Sequence, residues 1–189
     1  GYRTPPAAIL ERILAEGLNA GADRNPRVRW PEGEVRRYRD TLYLLPPLPA
    51  VVSGMTHDWP SAATRCKLPD GHGELQLKAM PGGGISLDCW RAARCSIRYR
   101  QGGEKIRLPG RAGSHELRKL FQEAGIPPWI RERVPLIYLD AQLAAVGGFW
   151  VAAEVWTPAG LAPVWQAPPG LTLARPHPGM AATLADQQR

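Results

Sequence analysis

Apolar residues recur at helical spacing in two stretches of the chain. Between Pro5 and Leu18, Ile9, Leu10, Ile13, Leu14 and Leu18 form one stripe, with Glu11, Arg12 and Glu16 opposite. Thr4 before Pro5 reads as the helix entry, and Gly17, Asn19 and Gly21 as its end. A single helix cannot bury so wide a stripe by itself, so a partner segment is expected upstream. The second stretch is His115 to Ala124. There Leu117, Leu120, Phe121 and Ala124 face inward and Arg118, Lys119 and Gln122 outward, with Ser114 as N-cap and Gly125 as the stop.

Elsewhere the period is two. Arg29 to Leu45 predicts a hairpin turning near Arg39-Asp40-Thr41. Short strands are expected up to Leu68, over Glu74 to Ala79 and over Ile85 to Cys89. Asp70-Gly71-His72-Gly73 and Pro81-Gly82-Gly83-Gly84 make the turns between them. Cys95 to Gln101 alternates so that Arg98 and Arg100 share a face, and Gln101-Gly102-Gly103-Glu104 turns the chain into Lys105 to Leu108. Paired as a hairpin, these strands would set like charges side by side, an arrangement that favours a polyanion lying across them. Ile126-Pro127-Pro128-Trp129 reads as a rigid corner with Trp129 as a packing anchor. Ile130 to Val134 predicts one helical turn presenting Arg131 and Arg133. Leu136 to Leu139 and Leu143 to Val151 are continuous apolar runs of the kind found in buried strands. Gly147-Gly148 marks a bulge or a close backbone approach.

These elements predict an α+β fold: a small, mostly antiparallel sheet with one or two short helices packed on it, preceded by a helix-hairpin remnant of another domain. Pro46-Pro47-Leu48-Pro49 stiffens the chain and residues 50–63 read as a linker. Residues 64–156 hold the main domain. After Trp156 the period fades among prolines and glycines, so 157–189 reads as a disordered tail with a weak helical end at Met180 to Gln188.

Composition narrows the function. The 20 Gly and 20 Pro of the 189 residues favour turns, and a net charge of +7 favours an anionic partner. No run of eighteen apolar residues and no export signal occur, so no membrane is expected and a cytoplasmic location is. Cys66, Cys89 and Cys95 form no Cys-x-x-Cys pair and His57, His72, His115 and His177 are scattered, which leaves no metal-ligand spacing. No nucleophile–base arrangement is apparent. His57-Asp58 and Asp70 with His72 are acid–imidazole neighbours in loop-like sequence, and no catalytic residue is assigned. Gly82 to Gly84 is followed by no Lys-Ser/Thr, and reads as a tight turn rather than a phosphate loop.

Charge is concentrated in one region. Arg98, Arg100, Lys105, Arg107, Arg111, Arg118, Lys119, Arg131 and Arg133 stand against Glu104, Glu116, Glu123 and Glu132. Free amides at the start of the second helix, beside Arg111, add a seat for phosphate. Arg36, Arg37 and Arg39 are secondary candidates, equally readable as edge-strand charges that discourage pairing.

The order of these residues resembles the C-terminal domain of the tRNA(Ile)-lysidine synthetases. The likeness runs through Arg98, Arg100, Gly102, Gly103, Glu104, Arg107, Gly110 and Arg111, then Leu117, Lys119, Leu120 and Phe121. It continues through Gly125, Pro127, Pro128, Trp129, Arg131, Arg133, Pro135 and Leu136, and on to Leu143 through Gly147. Arg36-Arg37-Tyr38-Arg39 with Leu42-Tyr43-Leu44 is similar to the end of that family's middle, tRNA-binding domain. The resemblance implies that residues 1–49 close that middle domain and that 64–156 bind the acceptor-stem side of an isoleucine tRNA. Family members use ATP and Mg to attach lysine to the anticodon wobble cytidine. That chemistry is implied for an N-terminal domain whose Ser-Gly-Gly-x-Asp-Ser pattern is not in this sequence. Gly1 reads as a cut point, so the chain is expected to be a piece, inactive alone and without its own cofactor. The implied partners are the tRNA and the N-terminal domain, with homodimerisation left open. The competing reading is a basic module that docks on another protein domain without touching RNA.

Overall fold

The computed structural model describes residues 5–18, 26–51, 54–79 and 82–171. The expected helix entry at Thr4, the end signals Asn19 and Gly21, Pro81 of the second glycine turn and the helical end at 180–188 lie outside them. The chain divides into two units, Gly1–Pro49 with Pro169–Leu171, and a second that runs from Ala50 to Pro168.

In the first unit, helix α1 (Ala7–Arg12) continues into wider turns over Ile13–Leu18. Strands β1 (Arg27–Trp30), β2 (Gly33–Tyr38) and β3 (Thr41–Leu45) follow as an antiparallel sheet in that order. The expected hairpin is β2–β3, and β1 adds a strand that the sequence reading missed. Val28 opposes Val35, which opposes Leu44, so alternation gathers an apolar face. Val28 and Val35 are buried there, whereas Leu42 and Leu44 of β3 and Leu10 and Leu14 of the helix remain exposed. The other face holds Glu34, only 2% exposed, between the guanidinium groups of Arg27 and Arg36 at 2.7 Å each. Arg39 takes the left-handed conformation (φ 54°) at the β2–β3 turn.

The second unit contains two five-stranded antiparallel sheets, more than the one small sheet expected. Its elements in chain order are β4 (Thr56–Asp58), β5 (Arg65–Lys67), β6 (Glu74–Ala79), β7 (Gly84–Ile85), α2 (Leu87–Ala92), β8 (Cys95–Arg98), β9 (Lys105–Arg107), β10 (Ser114–Glu116) and α3 (Leu117–Glu123). Then come α4 (Pro128–Arg131), β11 (Leu136–Leu139), β12 (Gln142–Val146), β13 (Trp150–Val151), β14 (Trp156–Thr157) and β15 (Leu161–Gln166). One sheet has the order β13-β12-β11-β8-β4 and the other β14-β7-β15-β6-β5, while β9 and β10 form a separate two-stranded ribbon.

Several expectations are corrected. The stretch read as a linker carries β4, which pairs with β8, and Trp59, which is 1% exposed. The strand expected over Ile85 to Cys89 stops at Ile85. Helix α2 replaces the rest, because Trp90 is needed inward, edge-on to Trp59 at 4.9 Å and donating to the Ser61 carbonyl. The stretch expected to be disordered from residue 157 holds β15, which pairs with β6 along its whole length. The one proline of β15, Pro163, does not break it, because Pro163 lacks a donor but the neighbouring residues keep the ladder.

Helix α3 buries Leu117, Leu120 and Phe121, each worth about 1.5–3 kcal/mol of apolar burial. Gly125 (φ 64°) ends it. Its amide donates to Gln122 and the Ile126 amide to Phe121, the paired closure that a glycine in this conformation permits. Trp129, Ile130, Val134, Leu136, Ile137 and Ala144 to Val146 complete the core around it.

Candidate nucleic-acid interface

The ribbon and helix α3 together carry four of the predicted basic residues in exposed positions, Lys105, Arg107, Arg118 and Lys119. In β9, Lys105 and Arg107 flank Ile106, which is 3% exposed, so the strand period turns both basic side chains outward. Ser114 lies opposite Arg107 and Glu116 opposite Lys105 in β10. The helix then begins at once, turning Arg118 and Lys119 to solvent. A shallow cleft of about 170 Å³ is lined by Lys105, Ser114, His115, Glu116, Lys119 and Glu123.

Two features differ from the sequence reading here. Ser114 is not an N-cap: it belongs to β10, and the helix starts three residues later with Glu116 in the cap position. One amide of the expected phosphate seat is already used, since the Leu117 N–H donates to the Glu104 carbonyl at 3.0 Å.

The predicted hairpin between Arg98 and Lys105 does not form. Strand β8 already has β11 on one edge and β4 on the other, so β9 has no edge of it to join. Glu104 still turns the chain by accepting the Gln101 and Gly102 amides. Burial pushes its carboxyl up, but those amides and Arg100 together hold it below the usual carboxylate range.

The basic set therefore separates. Arg98 lies over the Tyr138 ring at 4.3 Å and donates to the Asp140 carbonyl. Arg100 is half-buried, 3.5 Å from Glu104 and 5.5 Å over the Phe121 ring. Arg131 and Arg133 are corrected from an exposed face to the interior, each 8% exposed. Arg131 donates to the Ile126 carbonyl and Arg133 to the Trp129 carbonyl, and Arg133 also meets Glu132 at 3.7 Å. Their partners are backbone oxygens at the Pro-Pro-Trp corner.

Arg107 and Arg111 stay exposed in loose pairs with Glu154 at 3.7 Å and Glu123 at 3.4 Å. Lys105, Arg118 and Lys119 are exposed and, among the described residues, take part in no ion pair. In the first unit, Arg36 is committed to Glu34, and Arg37 donates to the Arg39 carbonyl and meets Asp40 at 3.8 Å. Arg39 stacks on Tyr38 at 5.3 Å. The residues missed by the sequence reading are the cleft's polar lining, His115 and Glu116 above all. The one signal for them was their alternation against Ile106 and Lys105, visible only once β10 is recognised as a strand.

The ribbon and helix α3 thus form a basic face, with Lys105, Arg118 and Lys119 exposed on it. Residues 95–165 match the family model described as the TilS substrate C-terminal domain, and residues 1–43 that of the TilS substrate binding domain. The chain is 47% identical over 155 residues to the tRNA(Ile)-lysidine synthase of Methylococcus capsulatus, an alignment covering 82% of this chain and 35% of that protein. It is 36% identical over 163 residues to the synthase of Alkalilimnicola ehrlichii (80% and 34%) and 40% identical over 170 to that of Serratia proteamaculans (88% and 37%). The chain thus spans about a third of the length of these curated relatives. It belongs to the tRNA(Ile)-lysidine synthetase family, whose C-terminal region it matches.

Proposed function

We propose that the second unit binds the ribose-phosphate backbone of an isoleucine tRNA on its acceptor-stem side. It does so for an enzyme that uses ATP to ligate lysine to the anticodon wobble cytidine. The observation that carries this reading is the set Lys105, Arg118 and Lys119, exposed on adjoining elements and without carboxylate partners among the described residues. Arg107 and Arg111 stand behind them, because long exposed pairs contribute little and a carboxylate there yields readily to phosphate. A-form RNA is recognised largely through its backbone and shape, for which such groups suffice without a base code. Arg98 and Arg100 brace the sheet and helix in this reading. Lysine transfer is assigned to another domain of the family, so the purified chain is expected to form no lysidine.

The test is the salt dependence of tRNA binding by the 189-residue chain. Lys105→Glu and Lys119→Glu should each weaken binding and lower the log–log salt slope by about one unit. Unchanged slopes would remove this face from the RNA. Equal affinity for polyglutamate of matched charge would point instead to docking on an acidic protein.

A further inference from the structure

The cleft beside α3 holds more than the cations that a phosphate requires. Its lining sets Lys105, Lys119 and Ser114 beside two carboxylates, Glu116 and Glu123. Acidic groups repel phosphate, so a surface shaped only to hold a polyanion gains nothing from them. Glu123 is engaged by Arg111. Glu116 is half-buried, does not cap α3 through its side chain, and takes part in no ion pair among the described residues, although Lys105 lies opposite it on the ladder. The neighbouring His115 also has an unsatisfied atom, a buried Nε2 without a partner.

An ionised carboxylate only accepts hydrogen bonds, and the hydroxyl that distinguishes RNA from DNA is a donor. We propose that this cleft holds one ribonucleotide unit of a bound RNA strand, with Lys105 and Lys119 on the phosphate and Glu116 accepting a hydrogen bond from the ribose 2′-hydroxyl. The proposal rests on the RNA-binding reading above and adds a discrimination between ribose and deoxyribose. The space, about 170 Å³, is below the ~300–1,000 Å³ typical of pockets that enclose whole small-molecule ligands, and suits a sugar with its phosphate.

The experiment measures binding of the 189-residue chain to a base-paired RNA hairpin and to copies carrying a single 2′-deoxy substitution at each position in turn. Deoxy substitution at one position, or two adjacent ones, should weaken binding about tenfold, the loss expected for one hydrogen bond to a charged acceptor. Glu116→Ala should weaken binding of the all-ribose hairpin by the same factor and erase that positional dependence, and Glu116→Gln, which keeps an acceptor, should retain part of it. Simple electrostatics predicts the opposite sign, since removing a carboxylate from a basic face tightens binding to every hairpin. Tighter binding by Glu116→Ala, or an unchanged deoxy profile, overturns the ribose contact and leaves RNA binding standing. Affinity that survives Lys105→Glu combined with Lys119→Glu overturns both.

Discussion

Arginine serves two purposes in this chain, and burial separates them. Arg131 and Arg133 donate to backbone carbonyls inside the fold, so truncating either strands an acceptor in the core. Arg131→Ala should cost about 2–4 kcal/mol in urea unfolding while leaving the salt slope of RNA binding unchanged. Glu34 is the counterpart in the first unit. Burial raises its carboxyl, yet hydrogen bonds from Arg36 and Arg27 outweigh that and hold it below the ordinary range. Its contribution is therefore complete above the unfolded carboxylate value of about 4.3 and is lost as pH falls through the lower folded value. Thermal melts resolved on the β1–β3 amides should show wild type losing stability in acid more steeply than Glu34→Gln. Cys95 is pushed up to about 12, by burial first and then by nearby Cys66 and Asp58. It should resist alkylation until the chain unfolds, and rapid labelling of the folded protein would contradict the buried position.

Among the elements, α3 was readable in advance because its determinants are local. Leu117, Leu120 and Phe121 recur on one stripe and Gly125 closes the helix, whatever surrounds it. The partner of β9 was not readable. Period two told which residues share a face, but a strand's neighbour depends on which edges other strands have already taken. Here β4 and β11, from opposite sides in sequence, occupy both edges of β8. The same limit hid β15, whose ladder to β6 spans the unit. That sheet also depends on a close approach of backbones. A Cβ on Gly84 would lie 2.3 Å from the Leu161 carbonyl carbon, and one on Gly160 would lie 2.4 Å from that of Gly84. Gly84→Ala should destabilise the second unit by about 3 kcal/mol, measured by urea unfolding, because backbone cannot move aside as a side chain can.

For the whole molecule, a charge of +7 sets the attraction to a polyanion, and the fold decides how much of it is available. Neutralising substitutions at Lys105, Arg118 and Lys119 together should lower the salt slope by about two to three units, whereas the same number at Arg36, Arg98 and Arg100 should barely change it. The comparison is made by titrating tRNA at several salt concentrations. Among the described residues, no helix is long and apolar enough to cross a membrane. The helix stripe that called for an upstream partner is left partly open, with Leu10 and Leu14 exposed.

By itself the sequence determined the elements whose signals lie within a few residues, the concentration of positive charge between Arg98 and Arg133, and the family. It could not determine which of those charges are free. Arg107 meets Glu154 only where residues 153–154 return beside β9, and Arg98 meets Tyr138 and Asp140 only after β8 and β11 have paired. Charge is additive along a sequence, but a guanidinium group's partner is fixed by distance in space, and that distance exists only once the sheets have chosen their edges.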